Sequence, residues 1–179
     1  MKFPKLIGMT LAFTSLSVLA GNDNALSALA LKQANYSLEQ AVEKVQNNYK
    51  GQIIEFELED DNNQLSYEIE VIDVITKEKH KLELSLEDGS VLKEKSKSIG
   101  IKRLDDDELA ALTDLQASDF NLNKIIALLK EQYKADILEF ELENEKGITF
   151  YKFKLFSEQG TQQVLVDVKT GSMISVMKK

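Results

Sequence analysis

The sequence predicts an α+β protein of two tandem repeats, each a helix or helix pair packed on a roughly four-stranded antiparallel sheet. Three observations lead there. The stretch 48–61, NYKGQIIEFELEDD, returns as 132–145, QYKADILEFELENE, so that Tyr49 and Phe56 are matched by Tyr133 and Phe140 at one constant offset. Within each copy acidic and apolar residues alternate: Phe56 and Leu58 among Glu55, Glu57 and Glu59, and Phe140 and Leu142 among Glu139, Glu141 and Glu143. Successive side chains of a strand point to opposite faces, so each copy has one dry and one wet sheet face. Just upstream, Leu38, Ala41, Val42, Val45 and Tyr49, and again Leu122, Ile125, Ile126, Leu129 and Tyr133, are spaced as one face of a helix that covers the dry side.

Taken in order, Met1–Ala20 has the make-up of a secretory leader. It has a basic start at Lys2 and Lys5, a mostly apolar run from Ile7 to Leu19, and a small-residue cleavage site after Ala20. The run is too short and too polar to serve as a membrane span, so no stable insertion is expected after cleavage. The first repeat is expected over 22–95. It opens with a short helix at Asn22–Asn35, then a helix capped by Ser37 with Gln40 at the capping-box position, running to Tyr49 with Gly51 placed to end it. Strands follow at Ile53–Glu59, Leu65–Ile72 and Lys81–Leu86, the last after a lysine-rich bend at Thr76–Lys79. Asp88-Gly89 then forms a hairpin turn and Val91-Leu92 begins a fourth strand.

A basic segment, 96–104, joins the copies. The second repeat, 105–179, begins with a short helix at Asp105–Leu115, whose acidic start suits the positive end of a helix dipole, and continues with a helix capped by Asn121. Its strands are expected at Ile137–Glu143, Thr149–Phe156, Gln163–Val168 and Met173–Met177, with a turn at Thr170-Gly171. One copy alone would bury little core, so the two are expected to pack together with their sheets side by side.

Composition excludes several functions. The chain has no cysteine, so it has neither a disulfide framework nor a thiolate metal site, and a leader has no acceptor for a lipid anchor. The net charge of −8 becomes −10 once Lys2 and Lys5 leave, which repels nucleic acid and anionic lipid. Hydrophobic residues make up 43% and fall in clear periods, so the chain folds. Its one histidine, His80, is in phase with Leu82 and Leu84 at the rim of the dry face. It has no second histidine to complete a zinc site and no serine in a nucleophile-elbow context to serve as base. There is no phosphate loop and no dinucleotide fingerprint.

Tyr67-Glu68-Ile69-Glu70-Val71 with Asp88-Gly89-Ser90-Val91-Leu92, and Tyr151-Lys152-Phe153-Lys154-Leu155 with Thr170-Gly171-Ser172-Met173-Ile174, follow helix and alternating strand in the order seen in PepSY domains. The chain resembles a tandem PepSY protein over nearly all of its mature length, with a cystatin/PepSY-like plan. It is also similar to the PepSY-like β-lactamase-inhibitor architecture, in which two such units form one sheet. The resemblance implies a non-catalytic role, without cofactor, in inhibiting or regulating peptidases, as in the propeptides of thermolysin-type enzymes.

The candidate contact residues are Glu55, Glu57, Glu59, Glu68 and Glu70, which leave the first repeat's wet face acidic. In the second repeat Lys152 and Lys154 stand where Glu68 and Glu70 stand in the first, and balance Glu139, Glu141 and Glu143. Lys79 and Lys81 offer some compensation in the first. Alternate residues of a strand spread about 6.8 Å apart, which disfavours their converging on one cation. Asp60-Asp61-Asn62-Asn63 is a more flexible cation candidate but lacks the glycine and final glutamate of an EF-hand loop. The sequence therefore points to a periplasmic or secreted binding protein, not an enzyme, whose partner is another exported protein such as a peptidase. The alternative is a periplasmic module for a small ligand or divalent cation held between the copies.

Overall fold

The computed structural model describes residues 19–61, 64–100 and 104–176. Eight strands form one antiparallel sheet: β1 Gln52–Asp61, β2 Gln64–Asp73, β3 Glu78–Ser85, β4 Val91–Ser98, β5 Asp136–Glu145, β6 Ile148–Ser157, β7 Gly160–Asp167 and β8 Met173–Val176. Their spatial order is β4-β3-β2-β1-β5-β6-β7-β8. The two repeats thus lie back to back, each contributing a four-stranded meander, with β1 and β5 meeting at the centre. That seam is the shortest pairing in the sheet: Glu55 opposite Glu141, Phe56 opposite Phe140 and Glu57 opposite Glu139.

Among the described residues four helices accompany the sheet: α1 Leu19–Gln33, α2 Leu38–Asn48, α3 Asp106–Gln116 and α4 Leu122–Tyr133. The α2 helix starts on a capping box, the Gln40 N–H donating to Ser37 Oγ at 3.3 Å and the Ser37 N–H to Gln40 Oε1 at 2.8 Å. The α4 helix starts at Asn121, whose Oδ1 accepts from the Lys124 N–H at 2.9 Å. Their apolar faces, Leu38, Ala41, Val42 and Val45, and Leu122, Ile125, Ile126 and Leu129, are buried on the dry face in one continuous core. The ring centroids of Phe56 and Phe140 lie 5.3 Å apart across the seam, with Phe153 5.3 Å beyond Phe140 and Tyr67 5.7 Å beyond Phe56. The expected side-by-side sheets are therefore one sheet, joined by the matched phenylalanines.

A register shift falls at the same place in both repeats, between Ile53 and Glu55 in β1 and between Ile137 and Glu139 in β5. A bulge of this kind bends a strand away from its neighbour, which limits the seam to three pairs. Each end of the seam is met by a first helix. Leu112 of α3 joins Ile72 and Ile99 in a small second core that also takes in Ile54 and Leu142. The α1 helix contacts β5, β6 and β7, with Ala28 buried and Asn24 Nδ2 donating to Thr161 Oγ1 at 3.2 Å.

Several details depart from the sequence expectation. Gly51 does not cap α2: the helix closes at Tyr49 in an extended conformation, and Gly51, at φ +122°, passes so close to the Ile72 carbonyl that a Cβ would collide with it. The third strand begins at Glu78 rather than Lys81, because Lys79 pairs with Ile72 in the ladder. The fourth strand, begun at Val91, continues to Ser98 and takes in the first three residues of the expected joining segment. Its exposed Lys93, Lys95 and Lys97 are the kind of side chain that keeps a sheet edge from pairing with another chain. Of the proposed leader only Leu19 and Ala20 lie among the described residues, at the start of α1, and Asn62-Asn63 of the candidate cation turn lie outside them.

The two hairpin glycines have diverged in surroundings. Gly89 (φ +68°) lies under the ring of Tyr36, and Lys44 Nζ donates to its carbonyl at 2.5 Å. Gly171 (φ +69°) has open space where a Cβ would point. Gly171→Ala should cost only the left-handed strain, about 1–2 kcal/mol. Gly89→Ala must also displace Tyr36 and should cost clearly more; urea unfolding of the two variants measures the difference.

Candidate functional site

The wet face carries the charged residues in two rows that cross the sheet. One runs Lys81, Glu70, Glu55, Glu141, Lys152 and the other Glu83, Glu68, Glu57, Glu139, Lys154, on β3, β2, β1, β5 and β6 in turn. The lysines engage the flanking glutamates. Lys79 pairs with Glu70, Lys81 Nζ lies 2.5 Å from Glu68, Lys152 Nζ 2.6 Å from Glu143 and Lys154 Nζ 3.0 Å from Glu139. The second repeat is balanced by Lys152 and Lys154 as its sequence suggests. Lys79 and Lys81 balance the outer half of the first repeat's acidic face. The inner half, Glu55 and Glu57, enters none of these pairs.

The consequence is visible in the acidities. Burial raises Glu55 first, then the charge of Glu70 and a hydrogen bond with it, then Glu141; Lys79 opposes these, and the carboxyl is pushed up to about 7. Glu57 is raised by burial and by Glu139, Glu59 and Glu68 against Lys154, and Glu141 by burial and Glu143 against Lys152. The hydrogen bond to Glu68 leads the causes that raise Lys81.

The five candidate residues share the wet face but differ in what covers them. Glu68 and Glu70, each 8% exposed, lie beneath their lysines and cannot meet a partner's surface without breaking those pairs. Glu55 lies at the α3 end of the seam, sharing a small pocket with Ile54, Lys79, Glu108, Leu112 and Glu141. Glu57 and Glu59 lie at the other end and line a groove of about 460 Å³ beside α1. Asp23, Asp60 and Glu139 join them there around Leu58, Leu65 and Leu138, with Lys154 on one wall. Sequence reasoning missed Asp23 and Glu139 as members of this groove, because only folding brings α1 and β5 beside the end of β1.

His80 is half-buried, its Nδ1 2.9 Å from Ser96 Oγ and its ring 5.2 Å from that of Tyr49, so it packs between β4 and α2. Among the described residues no group of three or more histidine, cysteine, aspartate or glutamate side chains could hold a metal ion.

The domain profile described as peptidase propeptide and YPEB domain, PepSY, matches residues 35–95 and 121–177. The chain belongs to the PepSY family. Each match takes in one main helix and its four strands, α2 with β1–β4 and α4 with β5–β8, so the two PepSY units are the two halves of the sheet, while α1 and α3 lie outside them. A solved chain from Clostridium difficile 630 described as a lipoprotein is similar at 21% identity and a TM-score of 0.47, covering 78% of this chain and 91% of that one. The YpeB C-terminal domain of Bacillus megaterium is similar at 18% identity and a TM-score of 0.32, over 80% of this chain and 67% of that one. No curated protein matches the sequence.

Replacing Lys81 by Met should strand Glu68 in a buried position and cost about 1–3 kcal/mol. Adding Glu68→Gln to that variant should recover part of the loss, because the stranded charge is then gone. Thermal unfolding of the single and double variants reads both steps.

Proposed function

We propose that this tandem PepSY protein is exported to the periplasm or secreted and acts without catalysis, binding a peptidase or another exported protein and modulating it. The observation that carries this reading is the groove beside α1. Asp23, Glu57, Glu59, Asp60 and Glu139 ring an apolar floor of Leu58, Leu65 and Leu138, between the two PepSY units. A predominantly acidic rim, with Lys154 its one cation among the described residues and paired to Glu139, steers a basic partner to the apolar surface it surrounds. The partner segment this fits is extended, with lysine or arginine beside apolar side chains.

Three further observations support the reading. The PepSY family takes its description from peptidase propeptides, and both repeats match it. The leader Met1–Ala20 supports export, and among the described residues no helix is long and apolar enough to cross a membrane. The net charge of −8 disfavours nucleic acid as the partner.

The test is capture of partners from a periplasmic extract by the mature chain, followed by assay of any captured peptidase with and without it. Reversing two charges of the groove, Glu57→Lys with Glu59→Lys, should weaken capture at low salt, and the difference from wild type should shrink as salt screens the groove. Equal capture by the two proteins at every ionic strength would remove the groove from the mechanism. A captured peptidase whose rate is the same with and without the chain would remove modulation.

A further inference from the structure

The two repeats meet through like charges. Of the three residue pairs joining β1 to β5, two place glutamate opposite glutamate on the wet face, Glu55 with Glu141 and Glu57 with Glu139. Like charges directly across a ladder are unfavourable, and this join has three pairs where β1 has nine with β2. We propose that the seam is a pH-sensitive joint, closed while its glutamates hold protons and loosened when they ionise.

The groups around Glu55 come from four elements. Glu70 faces it from β2, Glu141 from β5 and Lys79 from β3, Lys81 lies one position further along its row, and Glu108 of α3 lines the same small pocket. Around Glu57 are Glu68 from β2, Glu139 from β5 and Lys154 from β6, with Glu59 on its own strand and Asp23 of α1 across the groove. The nearby cations are already engaged: Lys79 by Glu70, Lys81 by Glu68, Lys152 by Glu143, and Lys154 by Glu139 of the seam itself. Ionising Glu55 and Glu57 therefore adds charge to a seam whose nearby lysines are already shared. On the opposite face Phe56 and Phe140 stay packed, and Lys130 of α4 bridges Glu39 of α2 at 2.8 Å, so the repeats remain tethered while the strands part.

The sign follows from the direction of the shifts. Glu55, raised to about 7, binds its proton more tightly in the folded chain than in the unfolded one, and Glu57 and Glu141 shift the same way. The contribution of Glu55 to stability is whole at pH values below the ordinary carboxylate range and is lost as pH rises through about 7, and those of Glu57 and Glu141 change in the same direction. Carboxylates held low by hydrogen bonds or ion pairs, such as Asp73 and Asp114, behave in the opposite way and are already ionised over that window.

Native-state hydrogen exchange on the mature chain, expressed as protection factors at about pH 5.5 and about pH 8.5, tests the joint on either side of the raised value. Protection of amides 55–57 and 139–141 should fall by at least about tenfold at the higher pH, the equivalent of one pKa unit, while the β2–β3 and β6–β7 ladders hold. Glu55→Gln, which cannot ionise, should remove most of that fall. Glu141→Gln on the facing strand should do the same, and serves if the first variant does not fold. Seam protection that is constant across pH, or that falls in both variants as in wild type, would overturn the proposal.

Discussion

The contact between Phe56 and Phe140 is the constraint on which the rest of the molecule depends. It is the only apolar pair among the three that join β1 to β5, and its neighbours on the other face are like charges. Burial of two aromatic rings, extended by Phe153 on one side and Tyr67 on the other, offsets that repulsion. One PepSY unit buries too little surface to be stable with ease. Joined through the phenylalanines, the two share a core that runs under both α2 and α4.

The price of that arrangement is paid on the wet face. Equivalent strands from two copies of one module, meeting antiparallel, bring the same alternation of glutamates together from both sides. Duplication itself thus generates the acidic centre of the sheet. Lysines on β3 and β6 neutralise its flanks and reach Glu139 and Glu143 of β5, but β1 lies between the glutamates of β2 and those of β5. The bulges at Ile53/Glu55 and Ile137/Glu139 keep this contact short and let the strands splay, leaving room at one end for α3 and at the other for the acidic groove beside α1.

The copies have also ceased to be equivalent. Tyr36 covers Gly89 and its carbonyl accepts from the Tyr67 hydroxyl at 2.7 Å, so the first repeat closes on itself. The matching Phe120 has no hydroxyl and stacks on Tyr151, 5.3 Å between centroids, and the Tyr151 hydroxyl donates across to the Ile53 carbonyl of the first repeat. Leu128 stands where Lys44 would reach the hairpin, and an open groove remains by Gly171. One module therefore serves as a closed half, the other as the half that reaches over to it.

Local physics made much of this legible from residues alone. Alternation placed Phe56 and Phe140 on a dry face, helical spacing gave α2 and α4 their buried sides, and Ser37 and Asn121 cap where short polar side chains satisfy free helix amides. Each of these depends on neighbours within a few positions, and so repeats faithfully in both copies. What lay beyond reach depends on partners distant in the chain. Lys97 of β4 read as part of a connecting segment because only the sheet shows it to belong to an edge strand. Gly51 read as a helix stop because its true constraint is the backbone of Ile72. The five acidic candidates read as one patch, yet pairing buries Glu68 and Glu70 beneath lysines, and the seam sends Glu55 and Glu57 to opposite ends. Amino-acid pattern determined the module and its two faces; only the meeting of two modules decided which of those faces' charges remain uncompensated, since that depends on strand register rather than on order along the chain.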